Sequence, residues 1–282
     1  MLVRSIMKYL LAAVFLLSSS AAFAQPAASD SSPDELIRTA LDHFNANTRQ
    51  AYAYTYVELW RNQNFDKRGR LKADESAKFE SVFIDDMPYL RKIEEDGAPL
   101  TGRAARREEK KYEAAVRARK GMTLEQKQAE MRAKSFNFPF ELGLLPKLYD
   151  NRIVGTEIVD GRPAIHIDCV PRTGIDAKNE REFNALHVHL QVWIDIQDQI
   201  FSRFDGELLA PVNGLMPGSA ASVSFLPVNG IWLPWKSTFN GRTKLRKSIV
   251  RVKTNLTYSN FQKFRVDVRV LDSTRPNPPS IQ

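Results

Sequence analysis

The chain has 282 residues, a formal net charge of +8 and one cysteine, Cys169. A single cysteine excludes an intramolecular disulfide, and the sparse glycine, with no phosphate-cradling loop, argues against nucleotide binding. The length suffices for one large domain with a sizeable core.

The N-terminus reads as a cleavable secretory signal over residues 1–24. Arg4 and Lys8 give a positive flank, Tyr9 to Leu17 an apolar run, and Ala22-Phe23-Ala24 the small residues that a signal peptidase reads. Met7-Lys8 followed by the same run is itself a complete signal. The apolar run is shorter than the roughly 20 residues of a bilayer span, and no cysteine stands at the cleavage point for lipid attachment. Export to the periplasm is expected, which disfavours a nucleic-acid partner.

Residues 25–32 form a flexible leader, and the folded domain is expected over 33–270, with a flexible tail at 271–282. Ser32 can cap a helix that opens with Pro33-Asp34-Glu35, and Leu36, Ile37, Ala40, Leu41 and Phe44 follow at helical spacing. From Ala51 the period changes to two. Tyr52, Tyr54, Tyr56 and Trp60 share one face of a strand, and Ser76 to Asp85 and Tyr89 to Glu95 read as two more strands around an Asp86-Met87-Pro88 break.

An insert over 101–149 interrupts the strands. Its first part favours helix, is broken at Gly121-Met122-Thr123, and carries eleven Lys and Arg against five Glu between Arg103 and Lys134, a net of +6. A helical hairpin is expected, with an anionic membrane surface as one candidate partner for its charge. The aromatic patch Phe136 to Leu148 closes the insert.

The second half reads as an antiparallel meander. Arg152 to Val159 and Pro163 to Val170 flank the hairpin signal Asp160-Gly161. Strands over His187 to Ile196, Gln199 to Leu209, Ala221 to Pro227, Ile231 to Phe239 and Lys247 to Phe261 follow, with turns expected at Asn229-Gly230 and Asn240-Gly241. The expected fold is mainly β (α+β): one strongly curved antiparallel sheet forming an unclosed barrel, with the N-terminal helix and the inserted helical hairpin covering the open side.

Three motifs carry a family resemblance. Val154-Gly155-Thr156-Glu157-Ile158-Val159-Asp160-Gly161-Arg162-Pro163-Ala164, running on to Asp168-Cys169-Val170-Pro171-Arg172, resembles the hairpin of LolA-like outer-membrane lipoprotein-sorting proteins. Val192-Trp193-Ile194-Asp195 and Asn229-Gly230-Ile231-Trp232-Leu233-Pro234 look like that family's next two elements. The resemblance implies a half-barrel with a hydrophobic cavity for acyl chains, no cofactor and no catalysis. The chain departs from the lipoprotein carrier in its greater length and its large basic insert.

A concave sheet face covered by helices makes room for a ligand, and aromatic side chains give acyl chains a dispersive lining. Tyr54, Tyr56, Phe79, Phe83, Trp232, Trp235 and Phe239 are the candidate lining, with ordinary core packing as their alternative role. His187 and His189, two apart on an expected strand, are the best metal or acid/base pair, though the alternation puts them on a wet face with Gln191 and Asp195. His166 and Asp168 are expected to be solvent-facing by the same logic, and His43 to cap or pack in the first helix. There is no Gly-x-Ser-x-Gly elbow, Cys169 reads as a small buried hydrophobe, and the carboxylates at Asp85-Asp86 and Glu94-Glu95-Asp96 fall at strand ends where turn chemistry explains them.

The sequence thus reads as a non-catalytic periplasmic binding protein or carrier for a lipid, acyl chain or lipoprotein. The rival is an interaction or sensor module that holds another envelope protein without a lipid cavity, and a weaker third option is an enzyme using the strand histidines.

Overall fold

The computed structural model describes residues 31–134, 142–245 and 248–264. The signal segment, most of the leader, Phe136, Phe138 and Phe140 of the aromatic patch, and everything beyond residue 264 lie outside the described residues.

Helix α1 (Pro33–Ala51) begins where the capping chemistry puts it. The Ser32 hydroxyl accepts from the Glu35 N–H at 3.3 Å, and the Glu35 carboxylate accepts from the Ser32 N–H at 3.4 Å, a reciprocal capping box with Pro33 in the first turn. The helix runs further than the change of period suggests, so Tyr52 caps its C-terminus and does not join the first strand.

Eleven strands follow: β1 (Tyr54–Phe65), β2 (Leu71–Ile84), β3 (Met87–Glu95), β4 (Ala98–Pro99), β5 (Tyr149–Val159), β6 (Arg162–Pro171), β7 (Val188–Asp195), β8 (Phe201–Leu208), β9 (Ala220–Val228), β10 (Ile231–Leu245) and β11 (Ser248–Lys263). They form one sheet in the order β4-β3-β2-β1-β11-β10-β9-β8-β7-β6-β5, antiparallel throughout. β4 and β5 are its two edges, so the sheet is an unclosed half-barrel. The early and late halves of the chain meet at β1 and β11, and the insert connects one edge to the other.

Tight turns set the registers. Asp160-Gly161 and Asn229-Gly230 both carry positive φ at two successive positions, as two-residue hairpins require. Asp85-Asp86 does the same between β2 and β3, so the expected break moves back and Pro88 sits inside β3. Asn240-Gly241 is the exception and corrects the expectation of a turn: β10 continues through it, pairing Asn240 with Lys253 and Gly241 with Val252. Gly241 serves side-chain packing instead, since a Cβ there would come within 2.5 Å of the Phe239 ring. The aromatic ring lies in the space that the missing side chain leaves.

The core occupies one face of β5 to β10. Ile167 and Cys169, Leu190, Val192 and Ile194, Phe204, and Val223 and Phe225 stand in register across β6, β7, β8 and β9 and are all buried. Helix α1 lies over them with Ile37 and Ala40 fully buried, joined by α4 (Leu145–Leu148) and α5 (Glu180–Leu186). The Phe44 ring meets Phe201, Phe204 and Phe225 edge-on at centroid distances of 6.0, 5.9 and 5.4 Å. Each such contact adds about 0.5–1.5 kcal/mol beyond the area it buries.

A polar clamp fixes the end of α1. β10 pairs with β11 only from Lys236 onward, so Trp232 lacks a strand neighbour on that side. The buried Asn47 side chain takes the neighbour's place: its amide donates to the Trp232 carbonyl at 2.7 Å and its carbonyl accepts from the Trp232 N–H at 2.8 Å. Beside it, Arg162 grips the fully buried Asp195 at 2.6 and 2.8 Å and reaches Asp198 at 2.9 Å, while Asp198 accepts the Trp232 indole N–H at 3.0 Å. His43 closes the group from the helix, with Nδ1 3.0 Å from the Gln199 carbonyl.

The insert opens with α2 (Gly102–Arg119) and α3 (Leu124–Lys134), and Thr123 forms a second capping box with Gln126. Glu108, nearly buried, accepts from the Lys92 N–H and from the Tyr89 hydroxyl, and the buried Arg119 donates to the Met87 and Pro88 carbonyls. These bonds engage β3 backbone groups near the sheet edge, which is otherwise paired only with the two residues of β4. Asn47→Ala strips two bonds from a buried backbone segment, and urea unfolding should show a loss of about 2–3 kcal/mol with an unchanged m-value.

Candidate functional site

The strands of the first half offer the same concave face as the core, but fill it differently. Glu58 stands opposite Tyr258 on β11 and Phe79 on β2, and Trp60 opposite Leu256 and Ala77. Leu256 is in turn opposite Ser237, and Ser237 opposite Val223 of the core, so these residues share its face. Tyr56, Trp60, Phe79 and Phe239 are only half-buried there.

Between this region and the core, α1 and the sheet enclose a groove of about 610 Å³. Its apolar walls are Leu41, Phe44 and Ala51 from the helix, and Phe225, Trp232 and Pro234 from β9 and β10. Arg38, Asp42, Asn45 and Thr48 add polar groups from successive turns of α1. A helix that is apolar toward the sheet and polar one residue round therefore makes a groove suited to a molecule with both characters.

The expected lining residues are divided by the structure. Trp232 lines the groove, though its indole N–H and its backbone are spent on Asp198 and Asn47. Tyr54 is buried and its hydroxyl reaches the Val228 carbonyl at 3.5 Å. Tyr56 packs edge-on against Tyr258 at 5.5 Å, Phe83 stacks on Phe264 at 4.5 Å, and Phe79 and Phe239 stand on the concave face, outside the groove. Trp235 does not face the groove. The β9–β10 register slips between Pro234 and Lys236, and the displaced Trp235 donates its indole N–H to Asp160 at 3.2 Å, among the charged residues of the opposite face.

Sequence reasoning missed the helix side of the groove and Glu58. The spacing of Tyr54, Tyr56, Glu58 and Trp60 already puts a carboxylate in the aromatic row, and that signal was available. Glu58 is only 9% exposed and makes no hydrogen bond or ion pair among the described residues. Burial pushes its pKa up. Burial, with the Glu58 charge as a second cause, pushes the Tyr56 hydroxyl up to about 12, and the same two causes with Tyr56 raise Tyr258.

The histidine expectations are corrected. His187 is not on a strand: it caps the C-terminus of α5, with Nδ1 2.6 Å from the Phe183 carbonyl, while His189 on β7 bonds Asp168 at 2.6 Å. A local helix thus breaks the alternation that would have aligned the two rings. His166 is not solvent-facing but 7% exposed, because Trp193 from the neighbouring strand stacks on it at 4.4 Å. Glu157 ties the pair together, accepting from the Trp193 indole at 3.0 Å and meeting His166 Nδ1 at 2.8 Å, and these contacts hold its carboxyl below the usual range. Asp195, expected on the wet side, is fully buried against Arg162. Among the described residues no three His, Cys, Asp or Glu side chains converge as metal ligands. Cys169 is fully buried, and burial pushes its thiol up to about 12, which makes it a poor nucleophile.

The raised pKa of Glu58 has a definite sign for stability. Below its ordinary value of 4.5 both folded and unfolded states hold the proton; as pH rises through the folded value, the buried charge becomes a cost of folding. Glu58→Gln should raise the melting temperature near neutral pH, and the gain should vanish well below pH 4.5. A gain that persists in acid would mean that burial of the charge is not the cause.

No known family model and no curated protein matches the chain. Among solved structures it is similar to an outer-membrane lipoprotein-sorting protein domain described as putative from Vibrio parahaemolyticus, at 10% identity and a TM-score of 0.34, covering 80% of this chain and 92% of that one. It is also similar to a LolA superfamily protein from Nitrosomonas europaea, at 9% identity and a TM-score of 0.30 over 80% and 94% of the two chains. A DUF1329 family protein from Desulfovibrio piger gives 13% identity and a TM-score of 0.29 over 83% and 95%. The half-barrel itself stands on the strand order.

Proposed function

We propose that the chain is a non-catalytic periplasmic carrier or binding protein for an amphiphile: a lipid, a free acyl chain or the acylated end of a lipoprotein. The observation that supports this reading is the groove of about 610 Å³ between α1 and the sheet, with apolar walls for an alkyl chain and polar side chains on the same helix for its headgroup. Half-buried aromatics on the adjoining strands extend the apolar surface, and Glu58 adds a hydrogen-bond acceptor within it. Burial of an alkyl chain contributes about 0.8 kcal/mol per methylene, so a chain of eight or more carbons binds usefully even after the cost of ordering.

A second reading, docking of another envelope protein, draws on one feature. β5 is an edge strand along which Ile153, Val154 and Ile158 are 39%, 53% and 70% exposed. Free edges with apolar side chains accept an added strand.

Native mass spectrometry of the mature protein, purified from the periplasm in gentle buffer, separates the two. Lipid or acylated peptide at near one per chain is expected, with Leu41→Glu and Ala51→Glu weakening its retention at least about tenfold and Trp235→Glu leaving it unchanged. A clean apo mass after incubation with lipid vesicles and a lipoprotein would remove the carrier reading and leave the β5 edge as the feature to pursue.

A further inference from the structure

Charged side chains on this sheet meet opposite charges almost wherever strands bring them together. Arg61 holds Asp74, Lys78 holds Glu94, Arg152 holds Asp168 and Arg162 holds Asp195 across strands, and Arg203 holds Asp205 along β8. At the far end of β10 and β11 the rule breaks. Arg242 and Arg251 are direct cross-strand partners, and like charges so placed repel.

Neither guanidinium is neutralised among the described residues. Arg242 donates only to the Pro217 carbonyl, at 3.1 Å, and Arg251 makes no hydrogen bond or ion pair. Asp66, in the β1–β2 turn, is occupied: it accepts the N–H groups of Arg68 and Arg70 and bonds the Arg70 guanidinium at 2.9 Å. Lys253, two residues from Arg251, adds a third positive charge.

The local backbone makes room for these groups. The Arg251 guanidinium lies 2.6 Å from where a Cβ would stand on Gly69, and Arg242 lies 3.2 Å from the same position on Gly218. Both glycines have φ near +77°, which favours glycine on backbone grounds as well. Two shallow recesses of about 510 and 370 Å³ share Gly69, Arg242 and Arg251, and the second has no acidic residue in its lining.

We infer that Arg242 and Arg251, with Lys253, form a binding site for a phosphate group, separate from the apolar groove. Two guanidinium groups lining one recess match the several oxygens and the charge of a phosphate better than the single contact a lone lysine gives. The phosphate offsets the repulsion that the bare pair carries. It comes either from free phosphate or from the headgroup of an anionic lipid.

The test uses the mature chain at about 0.15 M salt, where weak surface attraction is screened. Calorimetric titration with inorganic phosphate reads the free anion, and co-sedimentation with phosphatidylglycerol vesicles, against phosphatidylcholine, reads the headgroup. The double variant Arg242→Gln/Arg251→Gln should lose at least about tenfold in affinity, while Arg106→Gln/Lys110→Gln on α2, which removes the same charge elsewhere, should change it less than about twofold. The double variant should melt no lower than the parent, since it relieves a like-charge contact. Binding of phosphate in solution supports the free-anion source, and binding of phosphatidylglycerol alone supports the headgroup. Equal losses in both double variants, or no binding in either arm, would overturn the site.

Discussion

The seat of α1 in the half-barrel is the constraint on which the rest depends. Ile37, Ala40 and Phe44 supply apolar burial, but sliding costs little between greasy surfaces, and it is Asn47 that fixes position. Its two bonds to Trp232 are specific in direction and distance, and they are made on the side of β10 that β11 does not reach. Arg162, Asp195 and Asp198 brace the same residue from below, with Asp198 bonded to its indole. A buried charge pair of this kind gives less net stability than its Coulomb energy suggests, and contributes mainly by allowing one arrangement.

That seat leaves part of the concave face uncovered by α1. Over β6 to β9 the inward residues are packed and buried; over β11, β1 and β2 the inward aromatics, Tyr54 excepted, stay half-buried. The groove lies at the transition. The same helix therefore completes a core on one side and makes a wall on the other, and the residues that anchor it also shape the groove. Glu58 belongs to the second zone, where a carboxylate that would be intolerable in the packed core remains within reach of a ligand or solvent.

The outer face follows a different logic. Cross-strand ion pairs, the Glu157–His166–Trp193 cluster and Arg203 over Trp193 at 4.7 Å give it a polar but ordered surface. Opposite charges in register also discourage slippage, because a one-residue shift would move each pair to the wrong side. Within this pattern the paired arginines at the end of β10 and β11 stand out as a charge that no described residue balances.

Much of the local structure was determined by the sequence alone. Ser32 with Glu35 and Thr123 with Gln126 set helix starts, Asp160-Gly161 and Asn229-Gly230 set hairpins, and alternation placed most inward residues of β6 to β9. These are short-range effects of sterics and hydrogen bonding, carried by neighbouring residues. Tertiary structure decided what depends on a distant strand. Asn240-Gly241 has the same dipeptide as Asn229-Gly230 and remains strand, because β11 pairs with the residues on both sides of it. Trp235 lies on the opposite face from Trp232 and Pro234, and the register slip after it brings Ser237 and Phe239 to the inward face, while His166 is buried because Trp193, 27 positions on, is brought beside it by the register of β6 with β7. Asn47 reads in sequence as an ordinary polar residue on a helix, and only the absence of β11 beside Trp232, a fact of sheet topology, gives it its role.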